Sequence, residues 1–358
     1  MPTRTQVERL PKCLLVLLAC TWESILLIEE TVDARDLDAH ELFSGAEAIT
    51  KAHVLLGLTC LGQDKCKDER HDVIQPVGLT LAIWRAMRTK KGGVAWAAMD
   101  CSTVSWIARG STGRTKTTPS GHVRMTRVRD ANFMIGATTL VLLLCWLRDV
   151  RTVGENPINS VLAYVEPLKT LLLHILGTLQ RTVTVYLGSY DAPSLKPLWL
   201  WSDWDAIHKL ETKRPKKRAN GEPFDKLAVR GKKWTNGVKD KLKASQAYTS
   251  EFGMAAAKLT RAEQAGAHRT VAQRLQCEQT EPQLEWGEVK HILVELFTGL
   301  DPLLAEHANF WDVIGACQWP GKAKPDKKRL RRAVLKKQKK GRGATPDATG
   351  AHQTEANV

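Results

Sequence analysis

From residue 37 to about residue 190, short apolar runs alternate with longer segments of helical period, and this alternation constrains the fold more than any single motif. "LDAHELF" (37–43) reads as a strand ending at Ser44-Gly45, and 46–57 follows as a helix. "LTCLGQD" (58–64) is a second strand, "VGLTLAIWRAMRT" (77–89) a helix, and "GVAWAAMD" (93–100) a third strand. After a polar loop, 123–149 reads as a long buried helix, "RTVGEN" (151–156) as a fourth strand, 159–179 as a helix, and "RTVTVYLGSY" (181–190) as a fifth strand. Strands separated by helices of this length predict βαβ units and a doubly wound, mostly parallel α/β sheet with helices on both faces. Right-handed crossovers then put the strand C-termini, and any ligand, along one edge.

The alternation stops near residue 260. Residues 261–320 are expected to form a helical C-terminal extension, broken near Thr280–Pro282 and at Pro302, and 321–358 a basic disordered tail. Residues 1–36 stand apart as an N-terminal extension, leaving 37–260 as the main domain. The start imitates a secretory leader, but Glu23 follows its short apolar core and no clear small-residue cleavage site appears. The apolar stretch 133–147 is shorter than the roughly 20 residues that cross a bilayer, so a buried helix is expected and no membrane partner. Eight cysteines without a CxxC or Cys/His cluster imply no metal and reduced thiols inside a cell.

The net charge of +15 is concentrated. Residues 213–243 carry +9 and 322–342 carry +11, so the rest of the chain is mildly acidic, at −5. Two basic runs on an acidic body favour nucleic acid or an anionic membrane surface, and nucleic acid is the expected partner. "KRPKKR" (213–218) and "KKRLRR" (327–332) also resemble nuclear import signals, giving an intracellular, nuclear location as the expectation. Trp199, Trp201 and Trp204 precede the first run and Trp234 lies in it. Aromatics among cations can stack bases, while the alternation of Trp199 and Trp201 fits one face of a core strand.

The loops after the strands hold the candidate site. "ELFSGAEA" (41–48) follows the first strand, and Gly45 permits a tight turn that would expose amides to a polar cofactor group. Asp64 follows the second strand nineteen residues later, a spacing suited to ribose hydroxyls, and Asp72 lies near the same edge. "MDCS" places Cys101 just past the third strand, and "ENP" places Glu155, Asn156 and Pro157 at the end of the fourth.

In this order these residues resemble the cytosine-5 methyltransferase family of S-adenosylmethionine enzymes over about residues 38–260. "ELFSG" is similar to the family's cofactor loop, "DCS" to its nucleophile loop and "ENP" to its Glu-Asn loop. "GSYDAPSLKPLWLWSD" (188–203) and "LKASQAYTSEFGMAAAKL" (242–259) resemble later segments of divergent phage and protist relatives. The resemblance implies a Rossmann-like methyltransferase fold, with S-adenosylmethionine bound by Phe43, Gly45, Asp64 and Asp72. It implies that Cys101 adds to carbon 6 of cytosine, that Glu155 donates to ring nitrogen 3, and that Asn156 holds the loop.

Arg109 and Arg114 would lower the thiol pKa and, with Lys216, Lys217, Arg218, Lys232 and Lys233, contact DNA or RNA. Residues 205–241 occupy the place of the family's target-recognition insertion. Asp100 stands where the family has proline, Glu47 and Ala48 stand where further glycines are usual, and a later arginine-bearing motif is missing. These departures keep two other readings open: a catalytically inactive relative that binds nucleic acid, and a basic chromatin- or RNA-associated protein.

Overall fold

Residues Leu37–Leu42 are all buried although three of the six are Asp38, His40 and Glu41, as befits a strand covered on both faces. In the computed structural model this strand, β1, lies inside a six-stranded sheet. The structure describes residues 2–179, 181–226, 228–230, 235–237, 245, 247–266 and 284–298. The chain divides into one unit, Met1–Gln318, and a second, Trp319–Val358, so the expected basic tail lies outside the described residues.

The other strands are β2 (Cys60–Gln63), β3 (Thr89–Ala97), β4 (Arg151–Pro157), β5 (Arg181–Tyr186) and β6 (Pro197–Ser202). Their spatial order is β2-β1-β3-β4-β6-β5. The pairings among β1 to β4 are parallel, and β6 runs antiparallel to both β4 and β5. The expected mostly parallel α/β sheet is therefore present. The fifth strand ends sooner than 190, because residues 187–190 form a 3-10 turn and the chain then doubles back into β6.

Three helices precede the sheet: α1 (Arg4–Glu8), α2 (Lys12–Ala19) and α3 (Trp22–Glu30). Then follow α4 (Ala48–Leu55), α5 (Pro76–Arg88), α6 (Arg109–Thr112), α7 (Thr126–Leu147), α8 (Leu168–Leu179), α9 (Ser250–Gln264) and α10 (Trp286–Thr298). The helix expected over 159–179 starts late, as α8, because Pro167 disfavours helical backbone in the residue before it. Helix α7 is long and apolar enough to cross a membrane, but 89% of its most apolar window is buried within the protein.

Alternation along β3 separates two cores. Ala95 and Ala97 belong with α2, α5 and α7, whereas Val94 and Trp96 belong with Ile49 of α4 and Phe252 and Ala256 of α9. Helices thus cover both faces. The apolar N-terminal segment is part of the first core, with Leu14, Leu17, Leu18 and Ile25 fully buried. Trp201 and Trp204 are also buried, which settles the tryptophan alternatives for these two in favour of core packing.

Candidate active site

Strand β1 has β2 on one side and β3 on the other, so successive crossovers leave it in opposite directions. Such a switch point opens a crevice beyond the strand C-termini. A cleft of about 430 Å³ lies among the loops at these strand ends, lined by residues 43–46 after β1, 64–66 and 71–73 after β2, 98–102 after β3, and Glu155 of β4. Lys196, Tyr248 and Met134 complete its wall. Six of the residues singled out in the sequence meet here: Phe43, Gly45, Asp64, Asp72, Cys101 and Glu155.

The β1 loop turns through left-handed backbone at Phe43 (φ 61°), Gly45 (φ 47°) and Glu47 (φ 58°). A Cβ on Gly45 would meet no protein atom within 4 Å, so the space beside it is open. Its amide is not free as expected, however. It donates to Asp64 Oδ2 at 2.8 Å, while Asp64 Oδ1 accepts from the Cys66 amide at 2.8 Å. Asp64 therefore ties the first two loops together, and each of its carboxylate oxygens retains a lone pair for a ligand hydroxyl. Asp72 holds its own turn by accepting from the Ile74 amide at 3.2 Å.

Asp100 builds the turn that carries Cys101. Its Oδ1 accepts from the Ser102 amide at 2.8 Å and its Oδ2 from the Ser102 hydroxyl at 3.0 Å. Beyond it, the Val104 carbonyl accepts from the Val161 amide at 2.9 Å and the Ser160 hydroxyl at 3.2 Å. This pins the Cys101 loop to the loop after Glu155. Burial pushes the Cys101 thiol up to about 11, and the Glu155 carboxylate and, more weakly, Asp100 add to that. Lys196 is the cation that opposes the shift.

Glu155 is only 6% exposed, and burial raises its carboxyl above the usual range, against the opposing pull of Lys196 and Tyr248. The Tyr248 hydroxyl donates to Oε2 at 3.2 Å, while Oε1 is buried without a protein partner. Asn156 is tied to the neighbouring strand: Oδ1 accepts from Trp201 Nε1 at 3.0 Å, and Nδ2 donates to the Pro157 carbonyl at 3.2 Å. A Cβ on Gly154 would lie 1.9 Å from the Trp201 ring, so only glycine lets this indole close over β4.

The basic residues divide differently. Arg114 is fully buried and donates to Asn132 Oδ1 (2.8 Å) and the Pro119 carbonyl (2.5 Å), so neither a phosphate contact nor thiol activation falls to it. Its two terminal nitrogens reach three acceptors, the Pro119 and Val128 carbonyls and Asn132 Oδ1, which explains its inward position. Arg109 is exposed and donates to the Asn159 carbonyl at 3.2 Å, and the cation that acts on the Cys101 thiol is Lys196 instead. Lys216 and Lys217 are exposed and Arg218 pairs with Glu222 at 3.2 Å. Lys232, Lys233 and Trp234 lie outside the described residues. Sequence reasoning missed Lys196 and Tyr248 as site residues, although both lie within the two later segments that carry the resemblance. No group of three or more potential metal ligands occurs among the described residues. No protein-family model matches this chain, and neither does any curated protein.

Proposed function

We propose that this protein is an S-adenosylmethionine-dependent methyltransferase acting on carbon 5 of cytosine in nucleic acid, built on a Rossmann-like methyltransferase fold. The observation that carries the reading is the meeting of Cys101 and a buried Glu155, with one unpartnered carboxyl oxygen, in a cleft at the sheet's switch point. The cleft's size and mixed lining suit a nucleoside-sized cofactor beside a base. Asp64 and Asp72 would hold its polar groups, and Phe43 and the open space at Gly45 its flat and close-approaching parts. When bound, S-adenosylmethionine would supply the methyl group.

The chain's own residues then have distinct tasks. Cys101 Sγ, once deprotonated, bonds to carbon 6, and the displaced electron pair makes carbon 5 nucleophilic. Glu155, held toward its protonated form by burial, donates from its unpartnered oxygen to nitrogen 3 as charge develops there. Tyr248 and the Asn156–Trp201 contact position that carboxyl. After methylation a water takes the proton from carbon 5, the pair left behind re-forms the ring double bond as the Sγ–carbon 6 bond breaks to return the thiolate, and nitrogen 3 gives its proton back to Glu155. Lys196 favours the thiolate.

Tritium transfer from labelled cofactor to DNA and to RNA tests this reading directly. Wild type should also form a covalent adduct with 5-fluorocytosine nucleic acid in the presence of cofactor, and Cys101→Ala should not. An adduct that persists in Cys101→Ala shows that another nucleophile acts. A second reading, a catalytically inactive nucleic-acid binder, draws on the thiol held near 11. No binding of S-adenosylhomocysteine by calorimetry at millimolar ligand would decide against the enzyme.

A further inference from the structure

Between Cys101 and Arg129 the chain carries six Arg/Lys residues and no Asp or Glu. One of the six, Arg114, is spent internally and folds the loop, joining the carbonyls of Pro119 and Val128 to Asn132. The other five are exposed. Arg129 pairs with Asp130 at 3.6 Å, whereas Arg109, Lys116, Arg124 and Arg127 make no ion pair among the described residues. Their placement is set by the loop's neighbours. Arg109 bonds the Asn159 carbonyl, Lys116 Nζ lies 5.3 Å from the centre of the Tyr164 ring, and Arg127 reaches the Ser111 carbonyl at 3.5 Å. The basic loop therefore lies along the turn that follows Glu155. Trp106, 41% exposed, stands five residues beyond Cys101 in the same stretch.

We infer that this face docks single-stranded nucleic acid, with Arg109, Lys116, Arg124 and Arg127 on successive phosphates and the Trp106 indole stacked on an unpaired base beside the cleft. The inference rests on the methyltransferase reading for the identity of the target base, but binding can be measured without turnover. Four cations spread along a loop outnumber the phosphates of a free nucleotide and suit a polymer. An exposed indole among them supplies the stacking platform that binds bases without sequence preference. Residues 110–122 contain no large apolar side chain, so that stretch would meet an anionic membrane surface through charge alone, and competition with vesicles separates this from a nucleic acid.

The test uses the full chain and a fluorescein-labelled 20-nucleotide single strand, with binding read by anisotropy across a salt series. Replacing the four cations together by Gln should flatten the log–log salt slope by about 3 units, at about 0.7 per phosphate contact. Trp106→Ala should weaken binding about tenfold or more while leaving the slope unchanged. All five side chains are exposed and the cations give up only surface contacts, so thermal melting should stay within about 4 °C of wild type. An unchanged slope in the fourfold variant overturns the inference. So does transfer of the same loss to Gln variants of Lys213, Arg214, Lys216 and Lys217. Binding to phosphatidylserine vesicles through these side chains, without competition from the oligonucleotide, overturns it in favour of a membrane surface. Intact binding without methyl transfer to any cytosine supports the docking face and removes only the chemistry.

Discussion

Cys101 and Glu155 both line the cleft, and the Glu155 carboxylate makes the thiol harder to ionise than burial alone does. A thiol held at about 11 leaves roughly one molecule in ten thousand as thiolate at pH 7. Alkylation of Cys101 by iodoacetamide should therefore rise about tenfold per pH unit from 7 toward 11, as mass spectrometry of the modified peptide would follow. Lys196→Met should slow the reaction at every pH below the plateau, and Asp100→Asn should speed it slightly, because the amide keeps the Ser102 turn without the charge. A Lys196→Met variant that alkylates like wild type would remove Lys196 from the site. Cys101, Glu155 and Asp64 were legible in the sequence because each stands at a strand end, where topology alone brings them together. Lys196 and Tyr248 stand at no such landmark, since they arrive through the return into β6 and the approach to α9. Arg114 misleads for another reason: a cation reads as surface until the carbonyls around it are known.

Strand β1 shows how an element can carry opposed titrations. Burial lowers His40 to about 3 and raises Glu41 to about 7. His40 is neutral in the folded protein while the unfolded chain binds a proton below about 6.5, so its contribution is lost as pH falls from 6.5 toward 3. Glu41 is protonated in the folded protein while the unfolded chain ionises above about 4.5, so stability is lost as pH rises from 4.5 to 7. Between pH 4.5 and 6.5 the two slopes cancel. Glu41→Gln should uncover the histidine slope across that window and add about 3 kcal/mol at pH 8, measured by urea unfolding. A flat profile in this variant would show that His40 is protonated in the fold, and a wild type that already slopes across the window would show that Glu41 is ionised there. The strands themselves were legible to within a few residues from apolar runs. The antiparallel direction of β6 was not, because a two-residue period is the same in either direction.

At the scale of the molecule, residues 1–36 are no appendage. Leu14, Leu17 and Leu18 of the first helices share one core with Leu140, Leu143 and Leu144 of α7, and Trp22 meets Phe297 of α10 edge-on at 5.3 Å. Leu17→Ala should cost about 2–5 kcal/mol of unfolding free energy, the range for a fully buried leucine. A loss below 1 kcal/mol would mean that these helices dock only loosely. Sequence reading set the segment apart because helical period says which face is apolar and not what covers it.

The Val104 carbonyl, shared by Ser160 and Val161, has a consequence for how substrates are chosen. With the two loops stitched at that oxygen, Cys101 and Glu155 form a single fixed jaw, and on the methyltransferase reading its gape is set before any base arrives. A poor fit cannot be accommodated by letting one of them drift. On the methyltransferase reading, Lys196 and Tyr248 act on the thiol and the carboxyl themselves, so substitutions there should change how fast a base reacts as well as which bases are accepted.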